Sequence, residues 1–267
     1  MLIVGEKINP IRKDIAKALT ERDEKFIQDM ALRQVESSID ILDMNAGNDP
    51  YLEAENLRWL VEVVQDIVDI PLSLDSADPE AIVEAFKATK NKENVIVNSI
   101  TAQYERNEPL LKIIRDYDLK VIGLCMDENG VPKTSKGRVE IGKRVVDMVD
   151  KHGIPHENLF LDLVAQPISV DHTNGQVVLK ALELIKSSLP GIKTIVCVDA
   201  ISFGVPKRRL LHRAFLCLLI AAGLDAIFCD PLDASLRATM KAAEAVLGKD
   251  ENCLDYIKAY RDGHLIS

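Results

Sequence analysis

Apolar residues along this chain fall into short continuous runs. Each is followed by polar residues and then by a segment with helical spacing. Residues 2–5 (LIVG) open the series and lead to Glu6-Lys7-Ile8-Asn9; Phe26, Ile27, Met30, Leu32 and Val35 then supply the stripe of a helix. Residues 39–44 form the second run, continuing into Asn45-Ala46-Gly47, and Leu57, Leu60, Val61, Val64 and Ile67 recur at helical intervals. The third run, residues 70–76, contains Asp75 near its end. Asp78 is a good N-cap for a helix over 81–88, with Pro79 suited to its first turn and Glu80 to its positive end. Residues 95–97 exit at Asn98-Ser99 before a helix over 110–117, and residues 120–126 exit at Asp127 before a helix around 141–149. Residues 159–161 end at Asp162, 194–198 at Asp199 and 226–229 at Asp230, with further helices over 210–222 and 234–247.

This order predicts an α/β protein of eight strand–helix units. About 250 residues is the usual size of a (β/α)8 barrel, and the chain has 267. Strands that are apolar throughout suit a parallel sheet covered on both faces. An open doubly wound sheet would usually carry a Gly-rich phosphate turn after its first strand. That place is held by Gly5-Glu6-Lys7-Ile8-Asn9, so the barrel is preferred, as a single domain over 1–267 without linkers.

Composition narrows the function classes. A net charge of −9 and no basic run longer than Lys207-Arg208-Arg209 speak against nucleic acid. No apolar run approaches the ~20 residues of a membrane span, and the start is too short for a signal peptide. The five cysteines are scattered, without metal-ligand or CxxC spacing, and read as reduced core thiols of a cytoplasmic protein with no structural metal.

In a barrel, all strand exits meet on one face. They bring together Glu6, Asn9, Asp43, Asn45, Asp75, Asn98, Asp127, Asp162, Asp199 and Asp230. The set contains no His; His172 and His212 lie in flanking segments and read as surface or core residues. Such a mouth suits either a divalent cation held by carboxylates or a flat heterocycle with a donor–acceptor edge. A carboxylate can accept two parallel hydrogen bonds from an amino group and an adjacent ring N–H, while an Asn amide gives one and takes one. A pterin presents such an edge. Residue types alone leave both answers open. Asp43 could equally pair with a neighbouring Lys. Lys207-Arg208-Arg209 is either a solvated helix start or a clamp for an anionic group, and Trp59 is a packing residue or a dimer contact.

Six segments, in order, carry a family resemblance: GEKIN (5–9), LDMNAG (42–47), LDS (74–76), NS (98–99), LD (161–162) and ISFGVPKR (201–208). Together they resemble the pterin-binding methyltransferases that act between methyltetrahydrofolate and a corrinoid protein. These are related to the pterin domain of cobalamin-dependent methionine synthase and to dihydropteroate synthase. The resemblance implies a dihydropteroate-synthase-like barrel, a homodimer, tetrahydrofolate or 5-methyltetrahydrofolate as substrate, and cobalamin carried by a partner protein. It implies that Asp75, Asn98 and Asp162 bond the pterin edge, that Asn9, Asp43 and Asn45 line the same pocket, and that Ser202 and Arg208 lie beside the folate. The Asn that contacts N5 in the family is replaced here by Ala200, so Asp199, expected to point to the other side of the strand, is the remaining catalytic candidate. Dihydropteroate synthase itself is disfavoured, because its Asp-Ser-Phe-Ser and Arg-x-His segments are missing. The direction of methyl transfer stays open. So do two alternatives: a metal-dependent lyase or aldolase using Asp43, Asp75 and Asp162, and a folate-binding subunit impaired by Ala200.

Overall fold

In the computed structural model, which describes residues 1–47 and 49–265, eight parallel strands close into a barrel in sequence order. They are β1 (Leu2–Ile8), β2 (Ile41–Asn45), β3 (Leu72–Asp75), β4 (Val95–Ile100), β5 (Lys120–Leu124), β6 (Leu159–Asp162), β7 (Lys193–Cys197) and β8 (Ala226–Cys229). Pairing of β1 with β8, from Leu2 opposite Ala226 to Gly5 opposite Cys229, closes the ring. The helices are α1 (Lys13–Glu21), α2 (Glu24–Glu36), α3 (Glu53–Val64), α4 (Pro79–Ala88), α5 (Tyr104–Asp116), α6 (Ser135–Lys151), α7 (Asn174–Ser188), α8 (Arg208–Ala221), α9 (Ala234–Val246) and α10 (Leu254–Arg261). The barrel expected from the sequence is the one observed.

Three helices go beyond the sequence reading. The stripe of α7, Val178, Ala181, Leu182 and Ile185, has helical spacing and packs inward. Short α1 buries only Ile15, Ala18 and Leu19, and α10 buries nothing, so neither carries a strong periodic signal. In α2 the buried face is Ile27, Met30, Ala31 and Gln34; Leu32, expected in the stripe, is exposed. Asp78 caps α4 as expected, its side chain accepting from the Glu80 N–H at 3.0 Å. Half-buried Trp59 packs on the core and is covered by the Arg22 guanidinium, 4.9 Å from its ring.

The apolar residues form two layers. The larger lies between the strands and the surrounding helices. The smaller fills the barrel itself: Val4, Ile41, Ile96, Ile122, Phe160, Ile195, Ala226 and Phe228. Side chains alternate along a strand, so the residue two positions after each inward one also points inward, nearer the mouth. From Val4 this gives Glu6; from Ile41, Asp43; from Ile96, Asn98; from Phe160, Asp162; from Ile195, Cys197. The polar site is therefore the top layer of the barrel interior, standing on an apolar plug.

One irregularity shapes that layer. The β1–β2 register shifts between Gly5 and Ile8. Buried Gln34 of α2 accepts the freed Lys7 N–H at 3.0 Å, and a Cβ on Gly5 would lie 2.8 Å from that same Gln34 oxygen. Glycine leaves room for this contact, and the bulge lets the adjacent residues Glu6 and Lys7 both face the mouth.

Candidate active site

At the carboxyl ends of the strands lies a cavity of about 610 Å³. Its wall includes Glu6, Lys7, Asn9, Asp43, Asp75, Asn98, Asp162, Asp199, Arg208, His212 and Asp230. Volumes of ~300–1,000 Å³ are typical of small-molecule sites.

On the β2–β3–β4 side the polar side chains bond one another. Asp43 Oδ1 accepts from Ser73 Oγ at 2.6 Å and from Asn98 Nδ2 at 3.1 Å. Asn45 Nδ2 donates to Asp75 Oδ2 at 2.9 Å. Across the barrel, Asp162 Oδ1 accepts the Val164 N–H at 2.7 Å. Asp75 Oδ1 and Asp162 Oδ2 make no hydrogen bond to the described residues, and neither is sealed from solvent. Burial pushes both carboxyl groups up to about 6. Two costly buried acids with open oxygens thus face one cavity, ready to accept from a ligand.

The β7–β8–β1 side differs. Burial, and then the charge of Asp199, lifts the Glu6 carboxyl to about 8; its Oε2 accepts from Cys197 Sγ at 3.3 Å. Lys7 bridges to Asp230 at 2.6 Å. The chain after β7 turns as a 3₁₀ helix over Asp199–Ser202, so the inward series Ile195, Cys197 continues to Asp199, which lines the cavity. Ala200 instead packs on the outer core. This reverses the expected orientation of the two residues: the alternation set by Ile195 and Cys197 carries on into the turn and brings Asp199, not Ala200, to the mouth.

Other placements also differ from expectation. Asn45 does not line the cavity; it holds Asp75. Ser202 is fully buried behind the wall, bonded to His212 and Arg208. Asp127 is turned away: its Oδ2 accepts from Arg144 at 2.7 Å and its Oδ1 from the Asn129 N–H at 2.9 Å, because β5 ends at Leu124 and the chain doubles back before that side chain can enter the mouth. Asp43 pairs with Ser73 and Asn98 rather than with a lysine. Asn9 lines the cavity while its Oδ1 accepts from the Ile11 N–H. Arg208 and Arg209 reach the wall, Arg209 within 3.4 Å of Asp233. His172 stands exposed on the β6–α7 loop. Among the described residues no group of three His, Cys, Asp or Glu side chains is arranged to hold a metal ion.

Two residues were discounted or missed in the sequence. His212 is 5% exposed and lines the cavity; with Phe215, Leu216, Leu219 and Ile220 it lies on the inward stripe of α8, and that spacing was its signal. Arg138 occupies the corresponding stripe of α6 with Val145 and Val149. It is wholly buried and donates to the carbonyls of Pro132, Leu163 and Val164, fixing the loop that follows Asp162.

Comparison with known proteins agrees with this geometry. A sequence profile described as pterin binding enzyme matches residues 13–230. Methylcorrinoid:tetrahydrofolate methyltransferase of Eubacterium limosum is 32% identical over 267 residues, 99% of this chain and 98% of that protein. Methionine synthase of Mycobacterium tuberculosis is 21% identical over 238 residues, 84% of this chain but 20% of the longer protein. A dihydropteroate synthase from Coxiella burnetii, solved with pteroic acid, superposes with a TM-score of 0.69 at 14% identity, over 93% of this chain and 94% of that one, and shares the fold. With a matching profile over most of its length and a full-length relative, this chain belongs to the pterin-binding enzyme family.

Proposed function

We propose that this protein transfers a methyl group between a separate methylated corrinoid protein and N5 of tetrahydrofolate, in the direction of tetrahydrofolate. The observation that carries the proposal is the pair of buried carboxylates, Asp75 and Asp162, each with one oxygen open to the same cavity. They suit a ring edge made of an amino group and its neighbouring N–H, and Asn98 still has an amide oxygen and one N–H to offer. Donors from such a ring favour the charged form of acids that burial otherwise disfavours. The name of the Eubacterium limosum relative, methylcorrinoid:tetrahydrofolate methyltransferase, supports both the direction and the corrinoid chemistry.

The residues divide the task. Asp75, Asn98 and Asp162 hold the pterin. Asn9 lines the pocket beside them, Asp43 orients Asn98, and Asn45 orients Asp75. Arg208, fixed through Ser202 and the Asp199 carbonyl, faces the remainder of the folate. Asp199 stands where N5 chemistry occurs. The methyl group arrives on the partner's corrinoid as substrate. N5 attacks the methyl with its lone pair, the carbon–cobalt pair stays on cobalt, and the N5 proton must leave. A carboxylate within reach of that proton lowers the barrier.

We further infer that the protein acts in the cytoplasm, as one barrel domain over 1–267 that pairs into a homodimer. No helix among the described residues is long and apolar enough to cross a membrane. The test is a single-turnover assay with free methylcobalamin and tetrahydrofolate, following cobalt absorbance and 5-methyltetrahydrofolate. Transfer that Asp75→Ala loses supports the proposal. Tetrahydrofolate binding without any transfer would reduce the protein to a folate-binding subunit, and transfer or binding that a chelator abolishes would point to a metal-dependent reaction.

A further inference from the structure

Asp199, the acid nearest the proposed N5 position, does not stand alone. Its Oδ1 lies 3.2 Å from His212 Nδ1, and no fixed hydrogen bond meets that buried oxygen. On the other edge of the imidazole, Nε2 lies 2.6 Å from Ser202 Oγ. The same Oγ accepts from Arg208 Nε at 2.9 Å and lies 3.1 Å from the Asp199 carbonyl oxygen. Arg208 Nη2 also donates to that carbonyl, at 3.0 Å.

These contacts fit one tautomer: the Ser202 hydroxyl donates to the Asp199 carbonyl, Nε2–H donates to Oγ, and a bare Nδ1 faces the Asp199 oxygen that no hydrogen bond meets. The Oδ1–Nδ1 pair is one proton short, so a proton that reaches Asp199 serves both atoms, while Arg208 keeps the Asp199 carbonyl bonded throughout. We infer that His212 and Ser202 form a proton relay behind Asp199: the carboxylate takes the proton that N5 releases and the imidazole receives or shares it. The inference rests on the proposed function and adds a residue that the family motifs do not contain.

The step balances. The N5 lone pair forms the new N–CH₃ bond, the cobalt–carbon pair remains on cobalt, and the N5 proton passes to the Asp199 carboxylate. From the Nε2–H tautomer, a shift of that proton to the bare Nδ1 regenerates the carboxylate and leaves an imidazolium beside it. His212 acts through Asp199 and is a positioning residue. Burial supports the exchange by raising the proton affinity of Asp199 and lowering that of His212, bringing the two closer. Other charges face the pair from every side: Glu6, Lys7 and Asp230 toward Asp199, Arg209 and Asp233 toward His212, and Arg208 toward both.

The experiment compares wild-type protein with His212→Asn, which keeps an amide for Ser202 but cannot titrate in this range. Tetrahydrofolate affinity is measured first, then the single-turnover rate with methylcobalamin between about pH 5.5 and 8.5. The relay predicts affinity within about twofold of wild type and a rate lower by roughly ten- to a hundredfold, with the wild-type pH inflection lost. In intact wild-type protein, the ¹⁵N shifts of His212 should change tautomer or charge on adding tetrahydrofolate, a readout that does not depend on the variant folding. Normal binding and turnover with an unchanged pH profile, or ¹⁵N shifts indifferent to tetrahydrofolate, would overturn the relay alone. Wild-type protein that binds no tetrahydrofolate would overturn the proposed function, and the relay with it.

Discussion

Asp75 and Asp78 lie three residues apart, and their surroundings give them different tasks. Asp78 accepts the Glu80 N–H and starts α4. Asp75 has one oxygen on Asn45 and the other open to the cavity. Removing the cap in Asp78→Ala should cost about 1 kcal/mol of stability and leave folate affinity unchanged. Asp75→Asn should do the reverse. Its carboxyl is held near 6 by burial against an ordinary 3.8, so the ionised form is strained at neutral pH. Replacing it should stabilise the protein by up to about 3 kcal/mol at pH 7.5 while weakening folate binding. Thermal melts and titrations of the two variants check both halves; a destabilised Asp75→Asn that still binds folate would contradict the assignment. The sequence brought Asp75, Asn98 and Asp162 to the mouth because each stands at the exit of an apolar run; in the structure each lines the cavity, two positions beyond Ser73, Ile96 and Phe160. It turned Asp199 away because the orientation was taken from the family position of Ala200 rather than from the alternation that Ile195 and Cys197 set.

At the scale of elements, the site depends on loops tied down from behind. Arg138 leaves α6 to hold the carbonyls of Pro132, Leu163 and Val164, and Val164 sits at φ 52°, where a non-glycine residue needs support. Arg138→Met should fill the space but release three carbonyls, lowering stability by about 2–3 kcal/mol. Because two of those carbonyls, of Leu163 and Val164, follow Asp162, tetrahydrofolate KM should rise more than kcat falls. A variant of normal stability and normal KM would show that the loop holds itself. This support was legible only in part. A lone Arg on an otherwise apolar helical stripe is a signal, but its partners are backbone carbonyls distant in sequence, and carbonyls leave no trace in residue type. The strands were the easier part, since continuous apolar runs followed by polar residues mark both the element and its orientation. Helices α1 and α10 bury too little to impose a period.

For the molecule as a whole, closing the barrel gathers acids that would otherwise stay apart. Glu6, Asp43, Asp75 and Asp162 all hold protons more tightly folded than unfolded, chiefly through burial. Their contribution to stability is therefore greatest below the ordinary carboxyl range and is lost as pH rises, through about 6 for Asp75 and Asp162 and about 8 for Glu6. Asp14 and Asp127, held low, act oppositely in acid: hydrogen bonds to Arg12 favour the Asp14 carboxylate, and the Asn129 N–H that of Asp127. Melting should thus be higher near pH 6 than near pH 8; equal or reversed values would mean these acids are not buried in solution. Barrel order and the polar mouth followed from the chain's periodicity, whereas which acids share a wall depended on register and on the Gly5 bulge. The central claim is that Asp75 and Asp162 meet one flat, donor-edged ring, and calorimetric titration of 5-methyltetrahydrofolate in the presence of EDTA tests it most directly. The account predicts binding by wild-type protein that weakens as pH falls through about 6, and a loss of at least about a hundredfold in Asp75→Ala. Equal affinity in wild type and Asp75→Ala, or binding that EDTA removes, would contradict it.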